Sequence, residues 1–186
     1  GETGMIPCYL TVNGVGSLVQ TPPTQPSCTQ NPQIDIRLGA IIDDPQPQYP
    51  NRKLVPVYLW STQTQTVSLS ELELRLNLTS PSSVVDYTYA DLAPGVSQPE
   101  KRVFTGTFHE LYVSGKNVQL TAANTASAAD KLFYFVFNGP ALASICQETT
   151  VKLESGQIAI DDACCKLDLQ GTNQRKLDWG APPCVN

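Results

Sequence analysis

At 186 residues the chain is long enough for one substantial core, one that buries roughly 70% of the unfolded surface. A 41% apolar and 16% charged composition is that of a globular domain, not a disordered one. A net charge of −5 leaves no excess of Lys and Arg to neutralise phosphates, which argues against nucleic-acid partners. No apolar run approaches the roughly 18 residues of a membrane span, so no insertion into a membrane is expected of this segment.

The opening Gly1–Gly4, GETG, reads as the remnant that a secretion vector leaves after signal cleavage, and stands outside the fold. Residues 5–32 lack periodicity and carry four prolines between Pro22 and Pro32, which precludes a regular helix or a central strand. Cys8 and Cys28 bracket this segment, and a bridge between them would close the loop and contribute about 3 kcal/mol. Regular structure is expected from Gln33 to Ile41, where Ile34, Ile36, Leu38 and Ala40 alternate with Asp35, Arg37 and Gly39. A proline-rich loop, Asp43–Asn51, leads to a second strand, Leu54–Trp60. Pro56 implies that this strand is an edge, or that its missing N–H falls where no ladder bond is needed.

The cleanest pattern in the chain is Ser68–Thr79, SLSELELRLNLT. Leu72, Leu74, Leu76 and Leu78 fall on one side of an extended strand, and Glu71, Glu73, Arg75 and Asn77 on the other. A period of two puts one face in a core and the other in water. As a helix the same leucines would form no stripe. Further short strands are expected at Val84–Tyr89, Val103–Phe108, Leu111–Val113 and Val118–Ala122, with Ser114–Asn117 as the turn between the last two. Asn124–Asp130 suits a loop or one helical turn. Leu132–Phe137, LFYFVF, is apolar on both faces and reads as a central strand covered on both sides. Thr149–Leu153 and Gln157–Ile160 read as a hairpin about Glu154-Ser155-Gly156. The result is an all-β chain of roughly nine strands in a two-sheet sandwich of jelly-roll topology. The sandwich would span residues 33–163, and residues 164–186 would be a cysteine-bearing tail packed on the same domain.

Six cysteines without CxxC spacing, and a single histidine, do not suggest zinc. An even cysteine count and one N-glycosylation acceptor, Asn77-Leu78-Thr79, point to an oxidising, secreted or cell-surface setting, a disulfide framework and an N-linked glycan at Asn77. Vicinal Cys164 and Cys165 fit a mutual bond poorly. Once Cys8–Cys28 is assumed, Cys146 takes one of them and Cys184 the other. Cys146–Cys165 with Cys164–Cys184 is slightly preferred, and the exchanged pairing stays open.

No GxSxG, HExxH or paired-carboxylate motif occurs, so no catalytic residue is assigned; His109 is the one histidine that Ser–His or Cys–His chemistry could use. No cofactor is implied. Asp43, Asp44, Asp161 and Asp162 could offer oxygens to calcium, although solvated loop carboxylates are the plainer reading. Tyr58, Trp60, Tyr87 and Tyr89 could stack sugar rings, although aromatics in a sandwich more often cover the core. Tyr58 and Trp60 carry that carbohydrate-binding alternative.

Taken in order, Gln33–Asp162 resembles a cohesin domain, the sandwich module that grips dockerins and a relative of several carbohydrate-binding modules. The resemblance rests on IDIRLG, then LVPVYL, SELELRLN, VVDYTYADLAPG, LFYFVF and the closing TVKLESGQIAID. It implies a non-enzymatic interaction or adhesion module with a protein partner, a second copy of the chain included, and places partner contacts on Glu71, Glu73 and Arg75. Two departures stand out. Cohesins run from the third strand into a Tyr-Asp-Pro turn where this chain has Asn77-Leu78-Thr79, and they are poor in cysteine. Dockerin as the partner therefore does not follow from the resemblance.

Overall fold

The computed structural model describes residues 34–81, 83–139, 148–160 and 173–179, together with the backbone of residues 163–166. The proline-rich N-terminal segment, the Cys8–Cys28 bridge, Cys146, Cys184, Asp161 and Asp162 lie outside the described residues. The two further disulfides are therefore outside them as well.

Among the described residues eleven strands form two sheets, and every pairing between these strands is antiparallel. The five-stranded sheet holds β1 (Ile34–Leu38), β2 (Ile42–Asp43), β3 (Asn51–Ser61), β8 (Lys131–Gly139) and β5 (Asp86–Ala90). The six-stranded sheet runs β10 (Ala163–Lys166), β9 (Glu148–Ile160), β4 (Gln65–Thr79), β7 (Phe108–Ala122) and β6 (Glu100–Phe104), with β11 (Gln174–Asp178) also on β9. This is the expected all-β sandwich, and there is no helix among the described residues. Asn124–Asp130 holds a single turn, closed by the Ala129 N–H donating to the Thr125 carbonyl.

The core lies between the sheets. Leu72, Leu74, Leu76 and Leu78 are at most 2% exposed and pack in one cluster with Ile36, Leu38, Val55, Val57, Leu59, Phe133, Phe135 and Phe137. Each such side chain contributes about 1.5–3 kcal/mol by leaving water. β8 lies inside its sheet between β3 and β5, as the two-faced apolar run LFYFVF requires.

Two expected turns are not turns. Ser114–Asn117 lies inside β7, which continues unbroken for 15 residues. Asn117 does adopt a left-handed backbone, φ 52°, but the irregularity is used within the strand. Above it Val118 and Leu120 face the core; below it Val113 and Leu111 do. The facing parity changes there, and β4 changes with it between Leu69 and Leu72, so the register survives. Likewise Glu154-Ser155-Gly156 lies within the 13-residue β9. Arg75 pairs with Ser155 and Leu76 with Leu153, so Glu154 is an extra, bulged residue. The bulge lets Leu153 and Ile158, an odd number of residues apart, both reach the core. In each case a turn-forming sequence acts as a strand irregularity because both flanks already have partners.

Pro56 is not in an edge strand either. β3 is paired with β8 on one side and with β1 and then β2 on the other. The Gly39 N–H donates to the Pro56 carbonyl at 2.8 Å, and proline has no N–H to return. The Gly39 carbonyl is served instead by Arg175 of β11, whose Nε donates to it at 2.9 Å while Nη2 donates to the Leu38 carbonyl at 3.2 Å. Gly39 also makes room for the ring: a Cβ there would stand 2.6 Å from Pro56 Cγ. Arg175 thereby ties the six-stranded sheet to the end of β1. Close by, Trp179 is 4% exposed, packs on Phe137 and donates its indole N–H to Thr149 Oγ1 at 3.1 Å.

Arg175→Ala strips the donors from two carbonyls, and is expected to lower unfolding free energy by about 1–3 kcal/mol in denaturant melts. Arg175→Lys, with one ammonium in place of a fork, should recover only part of it. Stability equal to the parent would show that water serves these carbonyls equally well.

Candidate functional site

On the outer face of the six-stranded sheet, the residues that β4 turns away from the core meet those of β6, β7 and β9. Registers set the rows. Ser155, Arg75, Tyr112 and Glu100 lie across one row; Lys152, Asn77, Glu110 and Val103 across the next; Gln157, Glu73 and Ser114 across the one on the other side. Among them is an open depression of about 460 Å³, lined by Glu73, Arg75, Arg102, Val103, Glu110, Tyr112 and Ser155. Arg102 and Val103 are consecutive yet both line it. β6 carries a bulge at Arg102, between the pairs Lys101–Leu111 and Val103–Glu110.

The electrostatics of this surface are uneven. Arg75 pairs with Glu110 at 3.4 Å, and Arg102 with Glu100 at 2.9 Å. The Arg102 guanidinium also lies 3.7 Å from the centre of the Tyr112 ring, a cation–π stack. Tyr112 in turn donates its hydroxyl to Glu73 Oε2. Glu73 is thus held by a neutral donor and has no ion pair of its own within the described residues. Burial pushes its carboxyl above the ordinary carboxylate value, against the opposing pull of Arg102 and Arg75 and with a smaller push from Glu71.

Of the sequence-assigned partner residues, Glu73 and Arg75 come together in the depression. Glu71 does not: it is 8% exposed and paired in register with Ala159 and Lys116. Asn77 is half-buried on the same outer face, and its Oδ1 has no hydrogen-bond partner among the described residues. Sequence reading missed Arg102, Val103, Glu110 and Tyr112. Val103 was merged with the start of the next strand, and the outward parity of Glu110 and Tyr112 becomes visible only once β7 is one continuous strand.

The aromatic alternative has a different geometry. Tyr58 is only 8% exposed, under Ala123 and Ala129 on the outer face of the five-stranded sheet. Trp60 beside it carries the Arg37 guanidinium 3.7 Å from its ring centre. Neither ring is open for stacking a sugar on that side. Tyr87 and Tyr89 pack edge-on to each other and against Phe135, at the rim of the core. Burial pushes the Tyr87 hydroxyl up to about 12, and pushes that of Tyr89 up as well.

His109, at the start of β7, shares a 2.7 Å hydrogen bond between its Nδ1 and the Tyr87 hydroxyl, so it links the two sheets. Burial, and then the charge of Lys101, hold its pKa below the ordinary histidine value. Asp43 is paired with Lys53 at 2.6 Å and Asp44 with Arg52 at 3.1 Å, so both carboxylates already have cations. Among the described residues no group of His, Cys, Asp and Glu is arranged to hold a metal. Cys164 and Cys165 lie in β10, in register with Ala159 and Ile158.

No protein-family model matches the chain, and no curated protein matches it in sequence. Among solved structures it is similar to the cohesin module of a family 33 glycoside hydrolase from Clostridium perfringens ATCC13124, with 7% identity, 80% of this chain and 97% of that chain covered, and a TM-score of 0.45. It is also similar to AvmM, described as catalysing macrocyclization in alchivemycin A biosynthesis, with 10% identity, 88% and 99% coverage and a TM-score of 0.32.

Because burial raises the Glu73 pKa, the folded chain keeps that proton to higher pH than the unfolded chain does. Ionising it therefore subtracts stability as pH rises through the window just above the ordinary value of 4.5. Glu73→Gln keeps an acceptor for Tyr112 and removes that penalty. Its Tm relative to the parent should be near zero at about pH 4 and become positive toward neutral pH. A flat difference across that range would sink the assignment, given the same Glu71, Arg75, Arg102 and Lys116 charges in both proteins.

Proposed function

We propose that the chain is a non-catalytic protein-interaction module that presents the outer face of its six-stranded sheet to a protein partner. The observation that carries this reading is the depression around Glu73, with polar side chains from four strands, a stacked Arg102–Tyr112 pair and Val103, 46% exposed, at its lip. Arginine and tyrosine are residues that interfaces favour, and a part-desolvated hydrogen-bonded cluster beside an exposed apolar side chain is the anatomy of a contact site. The opposite outer face, with Tyr58 covered and Trp60 capped by Arg37, offers less. His109 engages Tyr87 across the sheets, away from the depression lining, which speaks for binding over chemistry.

The setting we propose is extracellular, in an adhesion role, with disulfides among the six cysteines and a glycan at Asn77. Asn77 lies next to Glu110 in register, so a glycan there would border the depression and leave the β6 side open to the partner. A second copy of the chain is one candidate partner.

The test is cross-linking mass spectrometry on the secreted chain at a cell surface, followed by binding measurements on the protein recovered. Cross-links should fall around β6 and β7, and Val103→Asp and Arg102→Ala should each weaken the complex about tenfold or more. Cross-links gathered around Trp60, or glycan binding that Trp60→Ala removes, would replace this reading with the carbohydrate one.

A further inference from the structure

Resting on that reading of the face, the charge distribution in the depression points to the chemistry of the partner. Both arginines at its wall are engaged, Arg75 by Glu110 and Arg102 by Glu100 and the Tyr112 ring. The Glu73 carboxylate is different. One oxygen accepts from the Tyr112 hydroxyl, and the side chain lines the depression without an ion pair of its own among the described residues. A carboxylate drawn partly out of water, with a phenol as its direct partner and Arg102 and Arg75 acting on it only from beyond ion-pair distance, leaves a direct cation contact unused. An acidic ligand group would have to displace Glu110 or Glu100 from an arginine and come to rest beside Glu73, which is unfavourable on both counts. A cation displaces neither pair, the charges of Arg75 and Arg102 are already offset by Glu110 and Glu100, and the chain's net charge of −5 favours its approach. The lip adds a second requirement: Val103 is exposed and apolar next to Arg102.

We propose that the depression receives a protein segment that sets a lysine or arginine against the Glu73 carboxylate and an adjoining aliphatic or aromatic side chain against Val103. Tyr112 is the positioning residue: its hydroxyl fixes the carboxylate rotamer, and Arg102 holds the ring from the other face. The recognition is a two-point one, a charge and an apolar neighbour, so a basic residue alone, or an apolar one alone, binds weakly.

Random linear peptides displayed on phage and selected on the whole chain supply the probe. The enriched peptides should pair Lys or Arg with a nearby aliphatic or aromatic residue. Synthesised and measured by fluorescence anisotropy, they should lose about tenfold or more in affinity on Glu73→Gln. Val103→Asp should weaken them too, and Trp60→Ala on the opposite face should leave them unchanged. Replacing the peptide's basic residue by Glu should abolish binding to the parent and restore part of it to Glu73→Lys. Glu73→Gln is near-isosteric and keeps the Tyr112 contact, so a circular dichroism melt no lower than the parent's separates lost recognition from lost folding. Acidic peptides that depend on Arg102, or basic peptides indifferent to Glu73→Gln, overturn the proposal while leaving the face as a partner site. Peptides lost on Trp60→Ala, or a selection that enriches nothing, overturn both.

Discussion

The period-two burial of β4 is the constraint from which the rest of the structure follows. Four leucines at every second position are sealed against the phenylalanines of β8, and a one-residue slip would expose all four at once. That fixes the facing of Glu73, Arg75 and Asn77 as firmly as it fixes the core. β4 is also flanked by β7 and β9 along most of its length, so its register is imposed on both neighbours. The rows of side chains on the outer surface are therefore set by what happens inside. Arg75 stands beside Tyr112, and Glu73 is within reach of it, because Leu74 and Leu76 are where the core needs them.

The irregularities of the sandwich serve the same end. Bulges at Glu154 and Arg102 and the left-handed Asn117 each adjust the facing of one strand to the others without breaking the ladder. At Arg102 the adjustment also turns two consecutive side chains toward the depression. Within the lining of the depression, the ion pairs among the described residues leave one carboxylate without a cation in contact. Arg75 and Arg102 are each matched to an acid, and Glu73 is matched to a hydroxyl. That imbalance gives the site a direction, whereas a fully matched patch would discriminate little between partners.

Much of this was legible in the residues. Alternation in SLSELELRLNLT exposed both faces of β4, and the apolar run LFYFVF identified an interior strand, because burial on one face or two writes itself directly into composition. The two misplaced turns share one cause. Ser-Gly-Lys-Asn and Glu-Ser-Gly carry real local backbone signals, but local preference cannot tell a chain reversal from a bulge; only the partners on either side decide it. With β7 divided in two, Glu110 and Tyr112 could not be aligned with Arg75, and the depression stayed hidden although two of its residues were in view. For Pro56 the second expectation holds, that its missing N–H falls where no ladder bond is needed, but the reason is not local. Its compensation comes from Arg175, more than a hundred residues away and on the other sheet, a pairing that no local pattern encodes.

The Arg175 contact also bears on where this domain stops. A boundary drawn after residue 163, where the sandwich pattern fades, would remove β11 along with Trp179. The carbonyls of Leu38 and Gly39 would lose their donors, β9 would gain a bare edge, and Phe137 would be uncovered beside Gly139. The smallest unit that keeps its own hydrogen bonds and core closed thus extends at least to Trp179. A shortened version intended for transplantation into another protein would carry an open edge on β9 that β11 covers in the longer chain, and with it an added route to self-association.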